Sequence, residues 1–214
     1  MKNKPFIPQS SDFLYHLLKG NRKMCSTIAK NFLAENPSIK DLYEDVFKEA
    51  LYEVGRLWEA NKITVATEHL ATAITEGILN ELYGELDIPE KSTHKVVLAC
   101  VDGESHQVGV KMVADVFEMN GWESYFLGTG IPITELVKFI QQKEPTVVAI
   151  SLSIFFNYRN LVEMIAVLKS EFPNLTIIVG GQGFLHRKEG SFEKVDDIKY
   201  ISDLYELDTY LKTI

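Results

Sequence analysis

The chain is poor in cysteine, with two among 214 residues. Cys25 and Cys100 lie far apart, match no metal-ligand spacing and build no disulfide framework, which fits a reducing, cytoplasmic setting. Long apolar runs are missing: nowhere do about 18 apolar residues follow one another, and no signal-peptide pattern is present. The expectation is a soluble protein without membrane contact. Positive charge is in short supply, with 22 Lys and Arg against 30 Asp and Glu and a net charge of −8. That balance argues against nonspecific binding to nucleic acid. Also absent are a Ser-His-Asp order, a P-loop and a pair of carboxylates with a plausible cleft, so an isolated enzyme is disfavoured. What is present is ordinary globular composition, 46% hydrophobic and 24% charged, enough for one large domain or two small ones.

Two rhythms divide the chain. From about Ser10 to Leu86 apolar residues recur at helical spacing. Ser11-Asp12 can cap a first helix carrying Phe13, Leu14, Leu17 and Leu18, which Gly20-Asn21 ends. A second carries Ile28, Ala29, Phe32 and Leu33 and stops before Pro37. A third starts at Ser38, with Asp41 three residues on, and bears the stripe Leu42, Val46, Phe47, Ala50, Leu51, Val54, Leu57 and Trp58. A fourth, from about Thr64 to Leu86, carries Leu70, Ala73, Ile74, Ile78, Leu79 and Leu82. Four helices with short joints suggest an antiparallel four-helix bundle over residues 8–88. The polar stretch from Asp87 to Lys95 holds Pro89 and reads as a linker.

From Val96 onward apolar runs alternate with helical patterns, which makes residues 95–214 an α/β domain. Strands are expected at 96–101, 123–127, 146–151 and 175–179, with a weaker one near 198–201. Helices are expected near 107–120, 133–142, 158–171, 184–193 and 203–212. Five parallel strands in this length favour the flavodoxin-like order 2-1-3-4-5, a Rossmann-like sheet with flanking helices. The loops leaving strands one, three and four then converge on one end of the sheet. They carry Glu104-Ser105-His106, Ser151-Leu152-Ser153 and Gly180-Gly181-Gln182-Gly183. A histidine at that end, with a carboxylate two residues before it, is set up to ligate a metal. Serines offer hydrogen bonds into a slot between strands, and paired glycines bare the backbone to a ligand.

These motifs resemble cobalamin-binding domains, whose pattern is Asp-x-His-x-x-Gly, then Ser-x-Leu or Ser-x-x, then Gly-Gly. Here it reads Glu104-Ser105-His106-Gln107-Val108-Gly109, Ser151-Leu152-Ser153 and Gly180-Gly181. The resemblance implies that His106 is the lower ligand of cobalt and that the displaced nucleotide tail enters the slot. It also implies that Gly128, in the turn Gly128-Thr129-Gly130, lies beside that tail. Glu104 stands where the pattern has aspartate. In the helical half, Trp58 is followed ten positions on by Glu68-His69, a Trp-x9-Glu-His spacing similar to the cap of light-sensing cobalamin photoreceptors of the CarH type. That likeness implies a tryptophan over the upper corrin face with the Glu-His pair near it. Glu59 stands where such relatives often have a histidine. The resemblance runs from roughly residue 10 to 212, and no MerR-type DNA-binding domain is expected before the first bundle helix.

The leading expectation is a light-responsive cobalamin sensor or regulator, not an enzyme. It would use adenosylcobalamin first and methylcobalamin second, and act through contact with a protein partner. A corrinoid methyl carrier serving partner methyltransferases is the alternative. Loss of the cofactor, or its exchange for another chromophore, is a third reading. Homo-oligomerisation is compatible with the chain, and no interface is legible. Taken singly, Ser151 and Ser153 are also ordinary strand-end residues, Gly180-Gly181 an ordinary turn, and Trp58 an ordinary bundle core residue. His69 stands equally well as a bundle histidine bonded to a neighbouring helix. His16, His94 and His186 read as solvated, Met24, Met112, Met119 and Met164 as core, Cys100 as core, and Glu44-Asp45 as solvated surface.

Overall fold

The structure is a computed structural model that describes residues 7–90, 92–186 and 198–214. The chain forms two compact units, Met1–Leu86 and Asp87–Ile214.

The first unit is helical. Helix α1 spans Pro8–Leu18, α2 Arg22–Glu35 and α5 Val65–Leu82. Between α2 and α5 runs one rod: α3 Ile39–Asp41, a π-helical segment Leu42–Lys48, and α4 Glu49–Glu59. Helix α1 begins before the expected Ser11-Asp12 cap, because Pro8 is pre-set for the first helical positions and Ser10 is buried in the opening turn. Ser38 caps the rod as expected, its hydroxyl accepting from the Asp41 N–H at 3.2 Å. Thr64 caps α5 in the same way through the Thr67 N–H, at 3.2 Å.

The π segment was not legible in the sequence. Its wider turn brings Leu42, Tyr43, Glu44, Val46 and Phe47 all inward, where a regular helix would expose some of them. Phe47 there meets Phe13 at 5.0 Å and Tyr43 at 5.8 Å between ring centroids. Glu44 is therefore buried beside Lys48 rather than solvated, and Asp45 is half-buried. In α5 the inward face is Ala71, Ile74, Thr75, Ile78, Leu79 and Leu82, while Leu70 and Ala73, expected in the stripe, are exposed. Met24 is also exposed, whereas Met112 and Met164 are buried.

The second unit is the expected α/β sheet. Strands β1 (Lys95–Cys100), β2 (Glu123–Gly128), β3 (Val147–Ser151), β4 (Thr176–Gly180) and β5 (Ile198–Tyr200) are parallel, in the order β2-β1-β3-β4-β5. Helices α6 (Val108–Met119), α7 (Ile133–Lys143), α8 (Tyr158–Glu171) and α9 (Leu204–Leu211) flank it. Central β1 and β3 are buried on both faces, which is why they read as unbroken Val, Leu, Ile and Ala runs. The helix expected near 184–193 falls mostly outside the described residues, as does the side chain of His186, and a 3-10 turn occupies Gln182–His186. His94 and His16 are half-buried rather than solvated. His94 stacks on Trp122 with centroids 4.9 Å apart, and His16 meets the edge of Tyr15 at 5.1 Å. No helix among the described residues is long and apolar enough to cross a membrane.

Both thiols are buried. Burial pushes Cys25 up to about 11, and burial with the Glu104 charge pushes Cys100 up to about 12. Because both folded values lie above the ordinary thiol value of 9.0, the thiols favour the folded state below pH 9, and that contribution is lost as pH rises through 11 and 12. The expected outcome is that neither thiol of the native protein reacts with a disulfide reagent at about pH 8, and both react in denaturant. A Leu98→Ala change in β1 is expected to cost about 2–5 kcal/mol in chemical denaturation, against about 1 kcal/mol for loss of the cap in Ser38→Ala.

Candidate cofactor site

Strand β1 ends where Val101 N–H donates to Ser151 O at 3.0 Å, and the chain then turns sharply. Gly103 makes the turn with φ +84°, and a Cβ there would lie 3.3 Å from the Asn157 side-chain oxygen. The turn sends the Glu104 carboxylate inward, where the residue is 5% exposed. Its Oε1 accepts the Ile154 N–H at 3.0 Å and Asn157 Nδ2 at 2.6 Å, and its Oε2 lies 3.5 Å from His106 Nδ1. Burial opposes ionisation, but the contacts from His106, Asn157 and the Ile154 N–H outweigh it and hold the carboxyl below its ordinary value. A buried anion facing Nδ1 favours the ring proton on that atom, which puts the lone pair of the neutral imidazole on Nε2. The backbone of His106 is tied as well, since Cys100 Sγ donates to its carbonyl at 3.4 Å.

The neighbouring loops come to the same end of the sheet. Cys100, Ser151 and Gly180 lie side by side in the strand register. Leu152 N–H donates to Gly180 O at 2.9 Å, and Leu152 O accepts from Gly183 N–H at 3.0 Å. Ser105 is exposed, while Ser151, Ser153 and Gln182 are half-buried. The Gln107 side chain occupies the place that a Cβ on Gly128 would need, which joins the β1 and β2 loops.

The glycines also have a reason within the fold. A Cβ at Gly180 would stand 2.8 Å from Ile201 O, one at Gly183 2.8 Å from Leu152 Cγ, and one at Gly181 (φ +111°) against the Leu152 backbone. These glycines are required by the protein's own close packing before any ligand arrives. Leu152 and Val108 are likewise core side chains. Gly109 is different: a Cβ there would meet nothing within 4 Å, and its φ is not in the left-handed region. The fold does not demand that glycine, although glycine costs roughly 1 kcal/mol relative to alanine inside a helix.

In the helical unit, Trp58 lies in the last turn of α4 and Glu68-His69 in the first turn of α5, so the short connection brings both to one end of that unit. Trp58 is 37% exposed rather than a core residue. Glu68 is buried, accepts from Thr72 Oγ1 at 2.9 Å, and meets His69 Nδ1. His69 is exposed and bonds its buried sequence neighbour within the same helix.

Sequence reasoning missed Asn157. A polar residue directly before an amphipathic run reads as a helix cap, yet the Asn157 side chain makes no cap bond and holds Glu104 instead. It also missed the apolar loop Ile154-Phe155-Phe156, whose only signal is three apolar residues just after a strand-end serine motif.

The residues fit a metal that brings most of its own ligands. Among the described residues no group of three or more His, Cys, Asp or Glu could hold an ion. His106 is a single, carboxylate-oriented nitrogen, which suits one axial position of a metal already held in a macrocycle. The open space over Gly109, three residues on, leaves room for a bulky ligand close to backbone. Three substitutions separate fold from ligand. In urea unfolding, Gly181→Ala is expected to destabilise the α/β unit by about 1–3 kcal/mol. Glu104→Ala, which strands a buried amide and an N–H, is expected to cost about 1–3 kcal/mol. Gly109→Ala is expected to be neutral or stabilising by up to roughly 1 kcal/mol.

Comparison with known proteins agrees with this arrangement. A B12 binding domain family matches residues 94–201, and a second B12 binding domain family matches residues 10–83. The HTH-type transcriptional repressor CarA of Myxococcus xanthus is 31% identical over 128 residues, covering 57% of this chain and 42% of the repressor. The repressor CarH of the same organism is 27% identical over 158 residues, covering 73% and 52%. The chain thus spans about half the length of these relatives. The solved monomethylamine corrinoid protein of Methanosarcina barkeri superposes with a TM-score of 0.80 at 15% identity, over 94% of this chain and 96% of that one, which shows a shared fold. With its sheet order, its carboxylate-oriented histidine and a family match over half its length, this chain belongs to the B12-binding domain family.

Proposed function

We propose that the protein is a cobalamin-dependent sensor or regulator that responds to light and does not itself catalyse a reaction. The observation that carries the cofactor assignment is the buried Glu104 carboxylate beside His106 Nδ1. His106 is the cobalt ligand. Glu104 fixes its tautomer and ring orientation, and Asn157 and the Ile154 N–H hold Glu104 in place. Ser151, Ser153, Gln182 and the backbone around Gly128, Gly180, Gly181 and Gly183 are assigned to the nucleotide tail, and Gly109 to close approach of the ligand. Trp58, Glu68 and His69 are the contribution of the helical unit. Bound adenosylcobalamin would supply a cobalt–carbon bond that visible light breaks. The sensor reading is supported by the likeness to the CarA and CarH repressors and by the exposure of Trp58. We assign its output to contact with a protein partner.

A second reading, a corrinoid methyl carrier for partner methyltransferases, is favoured by the fold shared with the monomethylamine corrinoid protein. It uses His106 in the same role, with methylcobalamin in place of the adenosyl form.

A visible absorption titration of the apo protein with adenosylcobalamin in the dark, repeated after green light and with His106→Ala, separates these readings. The expected result is saturable binding with a base-off, histidine-ligated spectrum that changes irreversibly on illumination. His106→Ala should lose that spectrum, and Glu104→Ala should weaken binding by roughly 10–100-fold. Saturable binding with no specific response to light favours the carrier, and absence of binding overturns the cofactor assignment.

A further inference from the structure

The loop after β3 is built around one atom. Glu104 Oε1 accepts the N–H of Ile154 at 3.0 Å and the amide of Asn157 at 2.6 Å, so the two residues between them form a tip closed at both ends on the same oxygen. The Asn157 N–H donates to Ile154 O at 3.0 Å, and Phe155–Asn157 form a 3-10 turn. Phe155 stacks on Tyr158 at 5.4 Å between centroids, and Tyr158 meets the edge of Phe184 at 6.5 Å. The tip is therefore anchored to the core and to the carboxylate that orients His106.

What this anchored tip displays is apolar. Phe156 is 90% exposed, the most exposed large apolar side chain among the described residues, with Phe155 and Ile154 partly exposed next to it. Its own fold gains nothing from a phenyl ring held out in water, and a contiguous apolar patch of this kind marks a binding surface. The anchoring ties this patch to the histidine. One oxygen of Glu104 fixes the base of the tip and the other faces His106 Nδ1, so the tip and the histidine ring are held by the same carboxylate. A flat, largely apolar macrocycle held through its metal spreads sideways onto adjoining loops, and aromatic side chains suit such a surface.

We propose that Phe156, backed by Phe155, packs on the corrin ring of the bound cofactor and screens the His106 contact from water. The assignment rests on His106 being the cobalt ligand. Because Phe156 makes its contacts outside the core, its replacement leaves the fold intact.

The test titrates the full chain, as wild type, Phe156→Ser, Phe156→Leu and His106→Ala, with adenosylcobalamin in the dark and with cobinamide, which has the corrin but lacks the nucleotide tail. Phe156→Ser is expected to weaken both ligands by roughly tenfold, with Phe156→Leu recovering most of the loss. An equal loss for cobinamide places the contact on the ring rather than the tail. The Phe156→Cys thiol gives a second readout, because the native thiols are buried and inert: its reaction with a maleimide should slow at least tenfold on saturation with cobalamin. Wild-type binding that depends on His106, combined with Phe156→Ser affinities within twofold of wild type and unchanged labelling, overturns this inference alone. The tip then faces a protein partner or a second copy of the chain. Wild-type binding that is absent or indifferent to His106→Ala overturns the proposed function, and this inference with it.

Discussion

The loops after β1 and β3 are organised around one buried anion. Glu104 comes out of the β1 loop and turns inward instead of into water. A lone carboxylate buried this deeply would be driven to neutralise itself. It stays charged because three groups from two loops converge on it: His106 Nδ1, the Asn157 amide and the Ile154 N–H. Each of these is positioned in return. The histidine ring acquires a defined tautomer, the β3 loop closes into a turn, and the β1 and β3 ends are locked together beyond their ladder bonds. Aspartate, one methylene shorter, would reach less far across to the β3 loop from the same backbone position.

Around this anion the glycines divide by physical cause. Gly180, Gly181 and Gly183 are small because Ile201 and Leu152 already fill the space beside them. Gly103 is a turn residue. Gly109 has open space beside it and no conformational need to be glycine. A motif that looks uniform as a string therefore combines glycines that the packing of the sheet end demands with one that it does not.

Legibility followed the range of the interactions. The sheet was legible because buried parallel strands make unbroken apolar runs, and the crossover rule then leaves few strand orders. The Ser38 cap was legible because its partner is three residues away. Less legible were features that depend on what packs against them. The π segment at Leu42–Lys48 carries ordinary helix formers, and nothing local marks the wider turn that buries Glu44. Leu70 belongs to an apolar pattern yet lies outside, and His94 looks polar yet stacks on Trp122. At the site, His106 and Glu104 were legible from their spacing. Asn157 was not, because its partner is 53 residues away and its sequence position suggests a helix cap.

Periodicity and spacings of a few residues encode the two-part organisation, the strand order and the pairing of His106 with Glu104. Tertiary structure alone decided that Glu104 is a buried anion held by Asn157 and Ile154, that three of the motif glycines answer to packing, and that Phe156 stands exposed on an anchored tip. The physical reason is that burial, charge stabilisation and exposure are properties of what surrounds a residue, and those surroundings are assembled from segments far apart along the chain.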